Sequence, residues 1–133
     1  HCIRRVAQLG ISDRFHFTGF LKGDDVQKMF QLSDVYIMPS VSEPFGISPL
    51  EAMQVGCPSI ISHQSGCAEI LSHVIKTDYW DIDAMADAIY AIVKYPAMYK
   101  SLRELGRDEV NNIKWYDVGL KVRRIYDMVI GGC

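Results

Sequence analysis

Two carboxylates with a glycine-bearing loop between them form the most chemically suggestive group in the chain. Glu43 and Glu51 enclose seven residues, PFGISPL, where an apolar run ending at Ser40 gives way to helix-forming sequence from Ser48. The first backbone N–H groups of a helix lack intrahelical partners, and the helix dipole adds positive charge there. The amides of Gly46, Ile47 and Ser48 therefore suit an anion, worth ~0.3–1 kcal/mol at a surface and up to ~2 kcal/mol when partly buried. Phosphate is the natural guest. Gly46 lets backbone approach it closely, and the Ser48 hydroxyl either caps the helix or adds a donor. A carboxylate only accepts hydrogen bonds, so Glu43 and Glu51 suit the hydroxyls of a sugar, at ~1.5–3 kcal/mol each once water is excluded. A polyhydroxylated phosphate ester satisfies all three features. The plain alternative is a ligand-free helix in which Ser48 and Glu51 form a capping box and Glu43 is a solvated loop charge.

These residues need a scaffold, and the flanking sequence supplies one. Asp34 to Ser40 (DVYIMPS) is a nearly continuous apolar run stopped at Pro39, as expected of a strand covered on both faces of a parallel sheet. Ser48 to Val55 reads as a helix capped by Ser48, with Pro49 at its first position and Gly56 at its end. Cys57 to Ser62 is a second short strand, followed by a loop from His63 to Gly66. Upstream, His1 to Gly10 reads as the end of a helix, Arg14 to Phe20 (RFHFTGF) as an alternating strand, and Val26 to Leu32 as a helix capped by Asp24 and Asp25. Downstream, Val74 to Trp80 is a further strand, and Asp81 to Asp83 opens a helix that turns Met85, Ala88, Ile89, Ile92 and Val93 inward. Helices over Ala97 to Asn112 and Tyr116 to Ile130 complete the chain, with Trp115, Tyr116 and Tyr126 expected as packed core rather than as a binding surface. Strands alternating with helices across short loops predict an α/β fold, a Rossmann-like parallel sheet flanked by helices. Ligands in such sheets sit at the carboxyl ends of strands, which again selects Pro39 to Glu51.

Composition narrows the classes. At 133 residues the chain is one domain, too small for a two-lobed enzyme. Fourteen Lys and Arg stand against 16 Asp and Glu, a formal charge of -2 that offers no electrostatic grip on nucleic acid or anionic lipid. The longest stretch free of those charges, Ala52 to Ala68, is interrupted by Gly56, Pro58, His63 and Gly66 and falls short of a bilayer span. The four cysteines, Cys2, Cys57, Cys67 and Cys133, contain no C-x-x-C pair, which suggests buried thiols in a reducing cytosol. His63 and Cys67 have i, i+4 spacing, but Gln64, Ser65 and Gly66 break a helix between them, so no metal site is expected. The helix at His1 starts without a cap, which suggests a cut from a longer polypeptide.

Ser33 to Leu71 (SDVYIMPSVSEPFGISPLEAMQVGCPSIISHQSGCAEIL) resembles the donor-binding core of the retaining, GT-B-fold glycosyltransferases known as group 1 or family 4. The resemblance is carried, in order, by Asp34, Pro39, Ser40, Glu43, Phe45, Gly46, Glu51, Ala52, Met53, Gly56, Pro58 and Ile60. It implies that residues 1–133 are a single truncated C-terminal nucleotide-sugar-binding domain, part of the C-terminal lobe of a GT-B fold. By the same resemblance Glu43, the candidate catalytic residue, contacts donor-sugar hydroxyls. Phe45, Gly46 and Ile47 supply the amide loop at the sugar and distal phosphate, Ser48 a phosphate-contacting hydroxyl, and Glu51 the grip on the ribose. Gly19, Phe20 and Leu21 resemble the nucleobase pocket. Gly66 and Glu69 resemble a turn that usually carries two glycines before the Glu; Ser65 and Cys67 depart from it.

The implied reaction transfers a sugar from a nucleotide diphosphate (UDP-, ADP- or GDP-sugar) to an acceptor hydroxyl with retention. Stabilising the departing diphosphate is its main lever. The family's Arg and Lys pair and its acceptor-binding N-terminal lobe have no counterpart in this sequence, so the 133 residues alone are expected to be inactive. GT-B enzymes generally dispense with a bound divalent metal, and the Asp-x-Asp donor motif is absent. Pro44 in EPFG and the long helix after DYWD resemble glycogen- and starch-synthase-like members, favouring a glucan product slightly over lipopolysaccharide, capsule or glycolipid. The expected location is cytoplasmic, at most peripheral at the inner membrane face. The rival reading is a non-catalytic nucleotide-sugar or phosphate-binding regulatory module. A receiver-like signalling domain fits less well, because Asp34 begins its strand rather than ending it.

Overall fold

The computed structural model describes residues 2–131. Three parallel strands, β1 (Tyr36–Met38), β2 (Ser59–Ser62) and β3 (Ile75–Thr77), form one sheet in that spatial order. Ile37 lies opposite Ile60, and Ile60 opposite Ile75. Around the sheet run α1 (Cys2–Gln8), α2 (Asp24–Leu32), α3 (Ile47–Gln54), α4 (Ile82–Lys94), α5 (Pro96–Asn112) and α6 (Trp115–Ile130), with 3-10 turns at Ser12–Arg14 and Gly66–Glu69. The expected α/β architecture is present, with each strand trimmed to its paired centre.

Alternation along the strands splits the core in two, since successive side chains leave opposite faces of a sheet. Met38, Ile61, Cys67, Leu71 and Val74 pack with Met53 of α3 on one face. Ile60 turns the other way onto Ala88 and Ile92 of α4, where Met98, Tyr99 and Leu102 of α5 join it. β2 is central and buried at all four positions, which explains its unbroken apolar reading as SIIS. Helix α5 is tied to the approach to β3 by Glu109, whose carboxylate accepts the backbone N–H groups of Ser72 (2.7 Å) and His73 (2.9 Å). Burial alone would raise the pKa of Glu109. The two amide donors and the His73 ring outweigh that and hold it below the ordinary value.

Several expectations change. Arg14 to Phe20 forms no strand. Phe15, Phe17 and Phe20 are exposed, and none of residues 16 to 21 enters a backbone hydrogen bond outside the regular elements. Alternating sequence becomes a strand only beside a ladder partner, and none is present among the described residues. Helix α4 is capped as predicted, with Asp81 accepting from the Ala84 amide at 2.9 Å, but Val93 points outward at 61% exposure. Trp115, Tyr116 and Tyr126 are not core: α6 contains no buried residue, and Trp115 is 80% exposed. Cys57 and Cys67 are buried thiols, whereas Cys2 is exposed; Cys133 lies outside the described residues.

Candidate functional site

The site is built by two loops that extend the pairing of β1 and β2 past their ends. Gly66 N–H donates to the Glu43 carbonyl (2.9 Å) and Cys67 N–H to the Phe45 carbonyl (2.7 Å), while Glu43 and Ser65 form an isolated parallel bridge. Beneath them the Ser62 hydroxyl donates to the Ser40 carbonyl at 2.6 Å. The Ser65 hydroxyl is then left to donate to Ser62 Oγ, 2.9 Å away. Ser65, a departure from the resembled turn, thus uses its side chain as a strut. Gly66 is demanded by contact: a Cβ there would overlap the Pro44 carbonyl oxygen and stand 2.9 Å from the Pro44 carbonyl carbon and 3.1 Å from Phe45 Cα.

The anchored loop delivers its chain to α3 through Gly46, which caps the helix at φ +88°. A side chain is excluded twice over, by that left-handed backbone and by Met38 Cε, 2.8 Å from where its Cβ would sit. The helix therefore begins at Ile47, two residues before the predicted first position at Pro49. This corrects the role of Ser48. It is not the N-cap, no side chain caps the helix, and the reciprocal bond from Glu51 does not form. Pro49 falls at the third helical position, where it removes an N–H that would otherwise need a partner. The Gly46, Ile47 and Ser48 amides have no backbone partner among the described residues. A donor set without an internal acceptor is what an anion requires.

Ser48 instead faces Tyr36, a residue the sequence reading did not single out. Burial pushes the Tyr36 phenol up, the Ser48 hydroxyl partly offsets this, and the neighbouring Cys67, Glu43 and Glu51 add to the rise. The phenol thus lies within the field of both carboxylates. The available signal was strand alternation, which puts Tyr36 on the same face as Met38 and hence toward α3. Cys67 closes the floor at 0% exposure, and burial, reinforced by Glu43 and relieved in part by Lys76, raises its pKa.

A cavity of about 520 Å³ opens beside the loop. Phe45, Ile47 and Glu51 form one wall, and Leu50, Gln54, Ile70, Val110, Ile113, Trp115 and Val118 the rest. Glu43, Gly46 and Ser48 do not line it, nor do Gly19, Phe20 and Leu21, which lie in the irregular segment before α2. The apolar walls supplied by α5 and α6 were not anticipated, because they depend on a helix pairing that no local pattern encodes. A cleft of about 580 Å³ along α5, between Lys100, Arg103 and Arg107, shares no residue with the loop. No group of three His, Cys, Asp or Glu among the described residues is placed to hold a metal.

A parallel sheet with a glycine loop feeding a helix start whose first amides lack backbone partners is an α/β domain of the Rossmann-like class. The chain belongs to the glycosyl transferases group 1 family, whose model matches residues 2–109. Its architecture is that of the C-terminal GT-B domain. It superposes on sucrose-phosphate synthase from Thermosynechococcus elongatus with a TM-score of 0.83 and 26% identity, over 99% of this chain and 34% of that one. Anabaena HepE in complex with UDP-glucose gives a TM-score of 0.82 at 17% identity, over 96% of this chain and 36% of that one, a likeness of fold. Mannosylfructose-phosphate synthase from Agrobacterium fabrum is 25% identical over 112 residues, 82% of this chain and 25% of that protein. The chain thus spans about a quarter to a third of each of these proteins. No helix among the described residues is long and apolar enough to cross a membrane.

Proposed function

We propose that this chain is the donor-binding part of a retaining glycosyltransferase, moving a sugar from a nucleotide diphosphate to an acceptor hydroxyl. The observation that carries the reading is the start of α3, where three consecutive amides lack an acceptor and a carboxylate stands on either side. As the glycosyl–oxygen bond breaks, its electron pair moves to the diphosphate. The Gly46, Ile47 and Ser48 amides are already oriented to receive that charge, at no cost in reorganisation. Glu51, exposed on α3 and lining the cavity, is placed to accept from ribose hydroxyls, and half-buried Glu43 from the transferred sugar. Gly19, Phe20 and Leu21 are assigned to the base. Support also comes from the structural likeness to HepE, which was crystallised with UDP-glucose. Cations for the diphosphate, the groups that hold the reacting end of the acceptor and the remaining lobe belong to the rest of the polypeptide, and a cytoplasmic location goes with a soluble nucleotide-sugar donor.

Calorimetric titration of the complete polypeptide with UDP, ADP and GDP tests this. One nucleotide binds measurably, Glu51→Ala weakens it roughly tenfold or more, and Glu43→Ala mainly lowers turnover. Unchanged affinity and rate in both variants would sink the assignment.

A further inference from the structure

The carboxyl edge of the sheet holds a second constellation, in the loop that joins β3 to α4. Tyr79 and Trp80 meet there edge to face, with ring centroids 4.7 Å apart and an interplanar angle of 85°. Trp80 is nevertheless 60% exposed, so a large, oriented aromatic surface is held out to solvent. Polar groups adjoin it. Gln64 Nε2 donates to Asp78 Oδ1 at 3.1 Å, clasping the β2 loop to the β3 loop. Gln64 Oε1 and the Oγ1 of Thr77, itself 7% exposed, are buried without a partner among the described residues. Buried polar atoms without partners are few in folded proteins, and each is an opening for a hydroxyl or a bound water.

The chemistry selects a class of guest. Asp78, Asp81 and Asp83 follow one another closely in sequence on either side of the rings, and that run of carboxylates disfavours phosphate esters and nucleic acid. A neutral pyranose presents weakly positive C–H groups to an aromatic face and hydroxyl donors to a carboxylate, matching both halves of the surface. Position adds the scale. The loop from Gln64 to Ser65 joins the two places directly, since Ser65 bridges Glu43 while Gln64 holds Asp78. With neighbouring strands 4.7–4.9 Å apart, β3 lies roughly 10 Å from β1, about the span of two linked pyranose rings.

We propose that Tyr79 and Trp80, with Asp78 and Gln64, form a subsite for a neutral oligosaccharide acceptor, gripping it about two sugar units from the point of transfer. The acceptor role rests on the donor reading above; the sugar-binding surface does not. Saturation-transfer NMR on the complete polypeptide, using maltotriose, mannotriose and chitotriose as probes, tests both. At least one trisaccharide should bind. Trp80→Ala should weaken it roughly tenfold and leave UDP, ADP and GDP affinities unchanged, while Trp80→Phe should restore most of the loss. Glu51→Ala should do the reverse, costing nucleotide affinity and sparing the trisaccharide. Nucleotide binding without any Trp80-dependent trisaccharide contact overturns the subsite and leaves the donor site standing. Trp80-dependent trisaccharide binding without nucleotide binding removes the donor reading and keeps the surface. A change in oligomeric state on Trp80→Ala, with trisaccharide binding unaltered, would make the rings a protein contact and also overturn the proposal.

Discussion

The loops at the carboxyl edge and helix α6 are opposite solutions to the same problem of covering polar backbone and apolar side chains. At the edge, the two loops satisfy one another: Gly66 and Cys67 donate to Glu43 and Phe45, three serine groups form a chain of bonds, and glycines admit the backbones to contact. In α6 the backbone is satisfied within the helix, yet no side chain is buried, although Val118, Val122, Ile125 and Tyr126 are all apolar or aromatic. The first region is specified by contacts at sub-ångström tolerance. The second is specified mostly by periodicity, with Trp115 and Val118 reaching the cavity wall, and its remaining apolar surface is of a kind that soluble proteins normally cover.

The sharpest test of that contrast is Gly66→Ala. One added methyl group must displace the Pro44–Phe45 backbone, so a loss of roughly 3 kcal/mol or more is expected in chemical denaturation, together with loss of nucleotide binding. An effect below about 1 kcal/mol would mean that the loops are not held as tightly as their contacts imply. Glu109→Gln comes next. It keeps the shape but loses charge-assisted acceptance of the Ser72 and His73 amides, for an expected loss of ~1–3 kcal/mol at neutral pH. The sign with pH follows from the depressed carboxyl. Its stabilising contribution is complete above the ordinary value of 4.5 and fades as pH falls through the lower folded value, so wild type and variant should converge in acid. A gap that persisted unchanged below that range would assign the effect to packing instead. The smallest effect is expected on α6, where Ile125→Ser should shift the stability of residues 2–131 by no more than about 0.5 kcal/mol. A larger loss would show that α6 is part of the core after all.

How far the fold could be read in advance follows the same division. The run from Asp34 to Ser62 was legible because strand, glycine loop, helix and strand are each marked by local residues, and the central strand is apolar throughout. The cap at Ser48 was misplaced by two residues because Gly46 can cap a helix with its backbone alone, and a serine before proline mimics the side-chain version. The RFHFTGF stretch misled because alternation states a willingness to pair and not the presence of a partner. Tyr36 and the cavity wall from Ile70 to Val118 were missed for a related reason: both depend on which helix lies over which face. In the candidate site, Phe45, Ile47 and Glu51 line one cavity, while Glu43, which the spacing paired with Glu51, and Gly46 serve the adjoining loop.

The burial of Cys67 beneath Gly46 also sets the redox character of the floor. Only a thiolate reacts readily with peroxide or alkylating agents, and burial keeps this sulfur protonated; Cys57 is pushed further still, to about 11. Among the described residues, Cys2, exposed on α1, is the thiol an oxidant meets first. Oxidative damage should therefore mark the surface of this domain while the sulfur under the donor loop stays chemically silent.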